Sequence, residues 1–174
     1  MSDHERISNI PEDFLRQVEI LHHAISVGML DLVADTIRSY KETHDGEIGA
    51  LLEYPNEDYF DATALQLAVR HIHPPGCGCK TAFKALSVTN DKKLIAPCNE
   101  VIKYSNKKEI VRLLLKNGAD VETRDISGFT PTQAACEPRF YFSDPAPEVI
   151  PILLEFEKKK RNRRSNNCRK FKCR

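Results

Sequence analysis

The 174-residue chain has no tryptophan, two methionines, seven glycines and only 7% aromatic residues. A large aromatic-rich core is therefore not expected. No apolar run approaches the 18 or so residues that a membrane-spanning helix requires. The opening residues, MSDHERISNIPEDF, are polar and acidic and lack the apolar core of a secretory signal, so none is expected. On that expectation the six cysteines are read as reduced thiols or metal ligands rather than a disulfide framework. The length suits one domain with a sizeable core or a short repeat array, and 41% hydrophobic with 29% charged residues suits an elongated, surface-rich protein as well as a rounded one.

Charge is unevenly placed. Residues 158–174, KKKRNRRSNNCRKFKCR, hold ten Lys/Arg and no acid. Residues 1–157 carry 16 basic against 25 acidic residues, a net charge of −9. The chain thus reads as an acidic body with a basic tail. The tail has too little apolar surface to fold alone and is expected to be disordered.

The most informative segment is EIVRLLLKNGADVETRDISGFTPTQAA, residues 109–135. Ile110, Val111, Leu113, Leu114 and Leu115 predict an apolar helix, stopped by Asn117-Gly118 with Gly118 as a left-handed terminator. Asp125 and Gly128 occupy the first and fourth positions of a type I turn. Thr130, Pro131 and Gln133 then predict a capping box, with proline at the first helical position. The order is helix, tight turn, helix.

EIVRLLLKNGADV followed by D-x-x-G-x-T-P resembles an ankyrin repeat, whose period is about 33 residues. Thr63-Ala64-Leu65-Gln66-Leu67-Ala68 repeats the same capping pattern 67 residues earlier, two periods plus one. Between them, APCN at 96–99 stands where T-P-L-H would be. Upstream, LHHAISVGMLDLV at 21–33 keeps L-H-x-A, with Gly28 between helices and His22 at the family's structural histidine position. The resemblance implies an all-α fold, an ankyrin-repeat solenoid of stacked helix pairs with short hairpin turns. The expected division is an N-terminal cap segment at 1–14, a repeat domain at 15–157, and a disordered basic tail at 158–174. Within the domain, four irregular repeats cover 15–57, 58–90, 91–124 and 125–157. Three repeats with a 34-residue insertion after Arg70 is the alternative. Four is preferred because Ala82, Phe83 and Leu86 share one helical face.

The family resemblance implies protein binding through hairpin tips and concave helices. The tips here carry Tyr59, Phe60, Ile126 and Phe129, residue types that anchor interfaces, although Phe60 or Phe129 folding inward is the competing reading. Asp61 stands where the family has glycine, which puts a regular turn there in question. His71, His73, Cys77 and Cys79 supply four zinc-type ligands in HIHPPGCGC, but in H-x-H-x3-C-x-C spacing rather than the usual ligand pairs. A decorated loop with no cofactor is the leading reading and a zinc clip the alternative. No orienting third group supports a catalytic Cys/His reading. Cys98 reads as a buried structural thiol. In the tail, Lys158, Lys159, Lys160, Arg161, Arg163 and Arg164 resemble a basic nuclear-import signal. A phosphate-attracting patch and a polybasic membrane contact beside Cys168 and Cys173 are also open.

These observations point to a non-enzymatic adaptor or regulator, cytoplasmic or nuclear, that binds another protein. The acidic body favours a partner surface of basic character. The alternative is a binder of nucleic acid or a membrane surface, driven by the basic tail, with the repeats as scaffold.

Overall fold

The computed structural model describes residues 10–55, 61–72, 106–136 and 143–171. The described residues are mostly helical. Helix α1 spans Glu12–Ser26, α2 Leu30–Thr43, α3 Gly49–Glu53 and α4 Ala64–Ala68. Strand β1, Arg70–Ile72, follows. After it come α5 at Lys107–Lys116, α6 at Pro131–Cys136, β2 at Ser143–Pro145, a 3-10 turn at Pro147–Val149, and α7 at Ile150–Phe171. No described helix is long and apolar enough to cross a membrane.

The longer helices α1, α2 and α5 each bury one apolar stripe. Val18, Leu21, His22 and Ile25 of α1 are buried at the three- and four-residue spacing of one helical face. Ile110, Val111, Leu114 and Leu115 do the same on α5. Both helices end as their sequences predict. Gly28 (φ +74°) and Gly118 (φ +100°) are left-handed. The Met29 amide donates back to the Ala24 carbonyl at 2.9 Å, and the Ala119 amide to that of Leu114 at 3.1 Å. These are Schellman closures, which satisfy carbonyls that a helix end leaves unpaired.

The helices pack in pairs. Helix α1 lies on α2, α4 on α5, and α6 on α7. Across pairs, α1 meets α4, α2 meets α5, α4 meets α6, and α5 meets α7. First helices therefore stack on first helices and second on second, over one continuous core. Ionic and polar contacts lock the first two layers: Lys41 Nζ donates to Asn117 Oδ1 at 2.6 Å, and Asn106 Nδ2 donates to the Gly28 carbonyl at 3.0 Å. The described helices form three pairs. The expected boundary at residue 90 and the helix through Ala82, Phe83 and Leu86 lie outside the described residues. Helices α4 and α5, assigned by phase to successive repeats, are in direct contact.

Two further expectations change. The first helix begins at Glu12, inside the expected cap segment, because Phe14 packs edge-on against Tyr40 and Tyr54 at centroid distances of 6.3 and 5.2 Å. The stretch ETHDGEIGALLEYP contains α3, whose Leu51 and Leu52 are fully buried. The tail expected to be disordered continues α7 as helix to Phe171. Its first turns are anchored: Ile152 and Leu153 are buried, and Lys160 and Arg164 find carboxylates on the neighbouring hairpin. Composition assessed the tail alone and missed that it inherits a helix already nucleated by packing. Among the described residues the one exception to an all-helical architecture is a short ladder. Strands β1 and β2 pair antiparallel, Arg70 opposite Pro145 and Ile72 opposite Ser143.

Two predictions follow from backbone and burial. Asp61 has φ +53°, the left-handed conformation that Gly128 (φ +80°) adopts at the corresponding place 67 residues later. An L side chain there costs roughly 1 kcal/mol, so Asp61→Gly is expected to raise the thermal midpoint; a lowered midpoint refutes strain at this turn. His22 is fully buried, and desolvation lowers its pKa from 6.5 to about 4. The unfolded chain therefore binds a proton that the folded chain refuses. Stability is complete above about pH 6.5 and declines as pH falls toward 4, by about 3 kcal/mol if the whole shift is realised. His22→Gln is expected to flatten that part of the stability–pH curve, measured by urea denaturation.

Candidate protein-binding hairpin

Residues 117–130 form the hairpin between α5 and α6, and every turn in it has an identifiable support. Asp125 is the pivot. One carboxylate oxygen accepts from the Ser127 and Phe129 amides, both at 2.9 Å, while the Gly128 amide donates to the Asp125 carbonyl at 2.8 Å. This is the type I turn expected from Asp125 and Gly128. The other carboxylate oxygen accepts from Arg70 Nη2 at 2.5 Å, and both side chains are buried. Lys107, also buried, donates to the Arg70 carbonyl at 2.6 Å.

Two more contacts tie the hairpin to the preceding layer. The Glu53 carboxylate accepts from the Asp120 amide and from the Thr123 hydroxyl, each at 2.7 Å. Gln66 Nε2 donates to the Thr123 carbonyl at 3.3 Å. Gln66 serves twice, because its Oε1 also accepts from the Thr63 amide at 2.9 Å while the Gln66 amide donates to the Thr63 hydroxyl. The capping box expected at Thr63 is therefore present. Its counterpart at Thr130 and Gln133 is present too, with bonds of 3.0 and 3.4 Å.

A third support comes from the basic segment. Lys160 Nζ reaches Asp120 at 2.5 Å and Glu122 at 2.9 Å, and Arg164 reaches Glu122 at 2.8 Å. Burial works to raise the Asp120 carboxyl, but the Lys160 hydrogen bond and charge outweigh it and hold the group below its ordinary range. The Lys160 hydrogen bond likewise lowers Glu122. Part of the basic run is thus neutralised within the molecule.

The expected tip residues separate. Ile126 is 63% exposed at the apex. Phe129 is half-buried and packs against the core, as its inward reading predicts. Tyr59 and Phe60 lie outside the described residues. So do His73, Cys77, Cys79 and Cys98. Of the four zinc-type candidates only the His71 backbone is described, in β1 opposite Asp144 where a loop was expected. Among the described residues no group of three or more His, Cys, Asp or Glu side chains is placed to hold a metal ion. Arg70 and Glu53 were missed as hairpin supports. Their partners lie 55 or more residues away, beyond any local pattern.

The described helices stack in pairs, and a capped hairpin joins α5 to α6. The ankyrin-repeat family model matches residues 99–126, which takes in α5 and the hairpin as far as Ile126. That match detects one ankyrin repeat in the chain. No curated protein and no solved structure matches the chain. Ankyrin repeats are in general non-catalytic modules of protein–protein interaction.

Because Asp125 holds both the turn and a buried guanidinium, Asp125→Asn is expected to cost about 3 kcal/mol or more, much of it from stranding Arg70. The Arg70→Met/Asp125→Leu double variant is expected to recover part of that loss in urea midpoints. An Asp125→Asn midpoint within error of wild type would show that the pair does not hold the hairpin.

Proposed function

We propose that this protein is a non-enzymatic adaptor or regulator, acting in the cytoplasm or nucleus, that binds another protein through its hairpin tips and the concave side of its first helices. The observation that carries this reading is Ile126. A β-branched apolar side chain is 63% exposed at the apex of a turn fixed by two amide bonds and a buried ion pair. Exposing it costs solvation, and fixing it lowers the entropy lost on docking. A partner needs an apolar recess for Ile126 and, given the acidic body, a rim of basic character. Tyr59 and Phe60 extend the proposed tip surface, and Phe129 supports it from behind.

The tail-driven reading, binding to nucleic acid or a membrane surface, draws support from α7. Lys158, Lys159, Arg161, Arg163 and Arg164 are exposed along it. Its steep salt dependence distinguishes it. The import-signal reading requires Lys160 and Arg164 to leave Asp120 and Glu122 before a carrier takes them.

The test is a side-by-side pull-down with wild type and Ile126→Asp, matched for melting temperature. Loss of the same proteins in the variant, with retention insensitive to moderate salt in wild type, is the expected result. Equal recovery by both forms, or recovery lost on adding salt alone, overturns the hairpin-tip reading.

A further inference from the structure

A second surface lies away from the hairpin apex, where α5 ends and α7 passes it. Leu115, Val121 and Phe156 floor a groove of about 540 Å³, with Lys116, Lys159, Lys160 and Arg163 around it. Leu115 and Val121 are 5% and 4% exposed, so the floor is part of the core rather than a loose flap. The rim charges are not equivalent. Lys160 is committed to Asp120 and Glu122, and Lys159 to Glu155 at 2.5 Å. Lys116 and Arg163 are exposed and make no ion pair among the described residues. The single carboxylate in the groove, Asp120, is already neutralised by Lys160. What remains is two uncommitted cations over an apolar floor. Gly118, also in the lining, is left-handed, and a β-carbon placed there would meet nothing within 4 Å, so the approach over it is open.

We infer that this groove binds a short acidic peptide segment, with one aliphatic side chain on the Leu115–Val121–Phe156 floor and carboxylates flanking it on Lys116 and Arg163. Charge complementarity selects an anionic occupant, and the apolar floor selects a peptide over a nucleic acid. The one ring available for base stacking, Phe156, has Lys159 Nζ 5.1 Å from its centroid and lies half-buried. A polynucleotide gains from continuous basic track and stacking platforms. A recess for one side chain gives it neither. This surface is separate from Ile126 and belongs to the outer helices, so the protein would hold two partners, or two parts of one, on different faces.

The probe is a fluorescein-labelled twelve-residue peptide of alternating Glu and Ser with a central Leu, titrated with the full chain and followed by anisotropy. Comparison probes are the same peptide with Ala for Leu, and a twelve-nucleotide single-stranded DNA. The inference expects saturable binding of the Leu peptide and at least tenfold weaker binding of the Ala peptide and of the DNA. It also expects at least a tenfold loss in Lys116→Glu/Arg163→Glu and no change in Ile126→Asp. If the charge reversal lowers the melting temperature, Lys116→Gln/Arg163→Gln replaces it. Methyl resonances of Leu115 and Val121 in the wild type are then expected to shift on adding the Leu peptide. Equal binding of the Ala peptide, equal or tighter binding of the DNA, no binding of the Leu peptide, or unaltered binding by the folded charge variant each overturns the inference. Loss in Ile126→Asp moves the peptide to the hairpin apex and overturns it as well, whereas failure of the hairpin-tip reading alone leaves this groove's result unaffected.

Discussion

The Asp125 carboxylate is the constraint on which the arrangement of the later layers rests. One oxygen shapes the turn through two amides, and the other binds a buried guanidinium from the preceding helix pair. A buried ion pair is poor as a source of net stability, since desolvating both charges offsets most of their attraction. Its value is positional. Any displacement of the hairpin leaves Arg70 charged, buried and without its carboxylate, so the turn has one place to sit. Arg70 in turn opens β1, and its carbonyl receives Lys107 at the start of α5. A single residue therefore sets the spacing between the end of α4, the start of α5 and the tip that follows.

The molecule has two unlike edges. At one, the 117–130 hairpin is capped and clasped to neighbouring helices by Glu53 and Gln66. At the other, the connections inside the second and third pairs are long, and they meet in the β1–β2 ladder. His71 and Ile72, which open the HIHPPGCGC stretch, lie in that ladder. The ladder gives the long connections backbone partners that a regular helix-pair array does not need.

Charge follows a comparable division. The acidic body and basic C-terminal helix are not independent regions, because Lys160 and Arg164 fold onto Asp120 and Glu122. The helix is held where the hairpin is most acidic. Beyond those contacts, Lys116 and Arg163 remain uncommitted beside an apolar floor. A uniformly solvated tail would present its cations to any polyanion, whereas this docked helix confines part of its charge to one groove.

Local chemistry was readable wherever it acts over a few residues. The capping boxes at Thr63 and Thr130, the Gly28 and Gly118 terminators and the Asp125–Gly128 turn follow from residue type and spacing alone, because cap and turn bonds close within three to five residues. The family resemblance and the predominantly helical fold were legible on the same ground. The candidate surface was legible only in part: Ile126 at the apex could be named from its place in the turn, but whether it or Phe129 faces outward depends on packing. The grouping of helices into three pairs was not legible, since a 33-residue phase counts periods and cannot tell a degenerate repeat from an insertion of similar length. Contacts such as Lys41–Asn117 and Arg70–Asp125 set how the described helices pack, and they join residues 76 and 55 positions apart. The same holds for α7, where composition predicts disorder and docking on the acidic hairpin supplies the missing stabilisation. The sequence by itself determined the caps, turns and apolar stripes, because their energies are local. The tertiary structure alone decided which helices are partners and which charges are committed, because those energies exist only once distant segments share a desolvated interface.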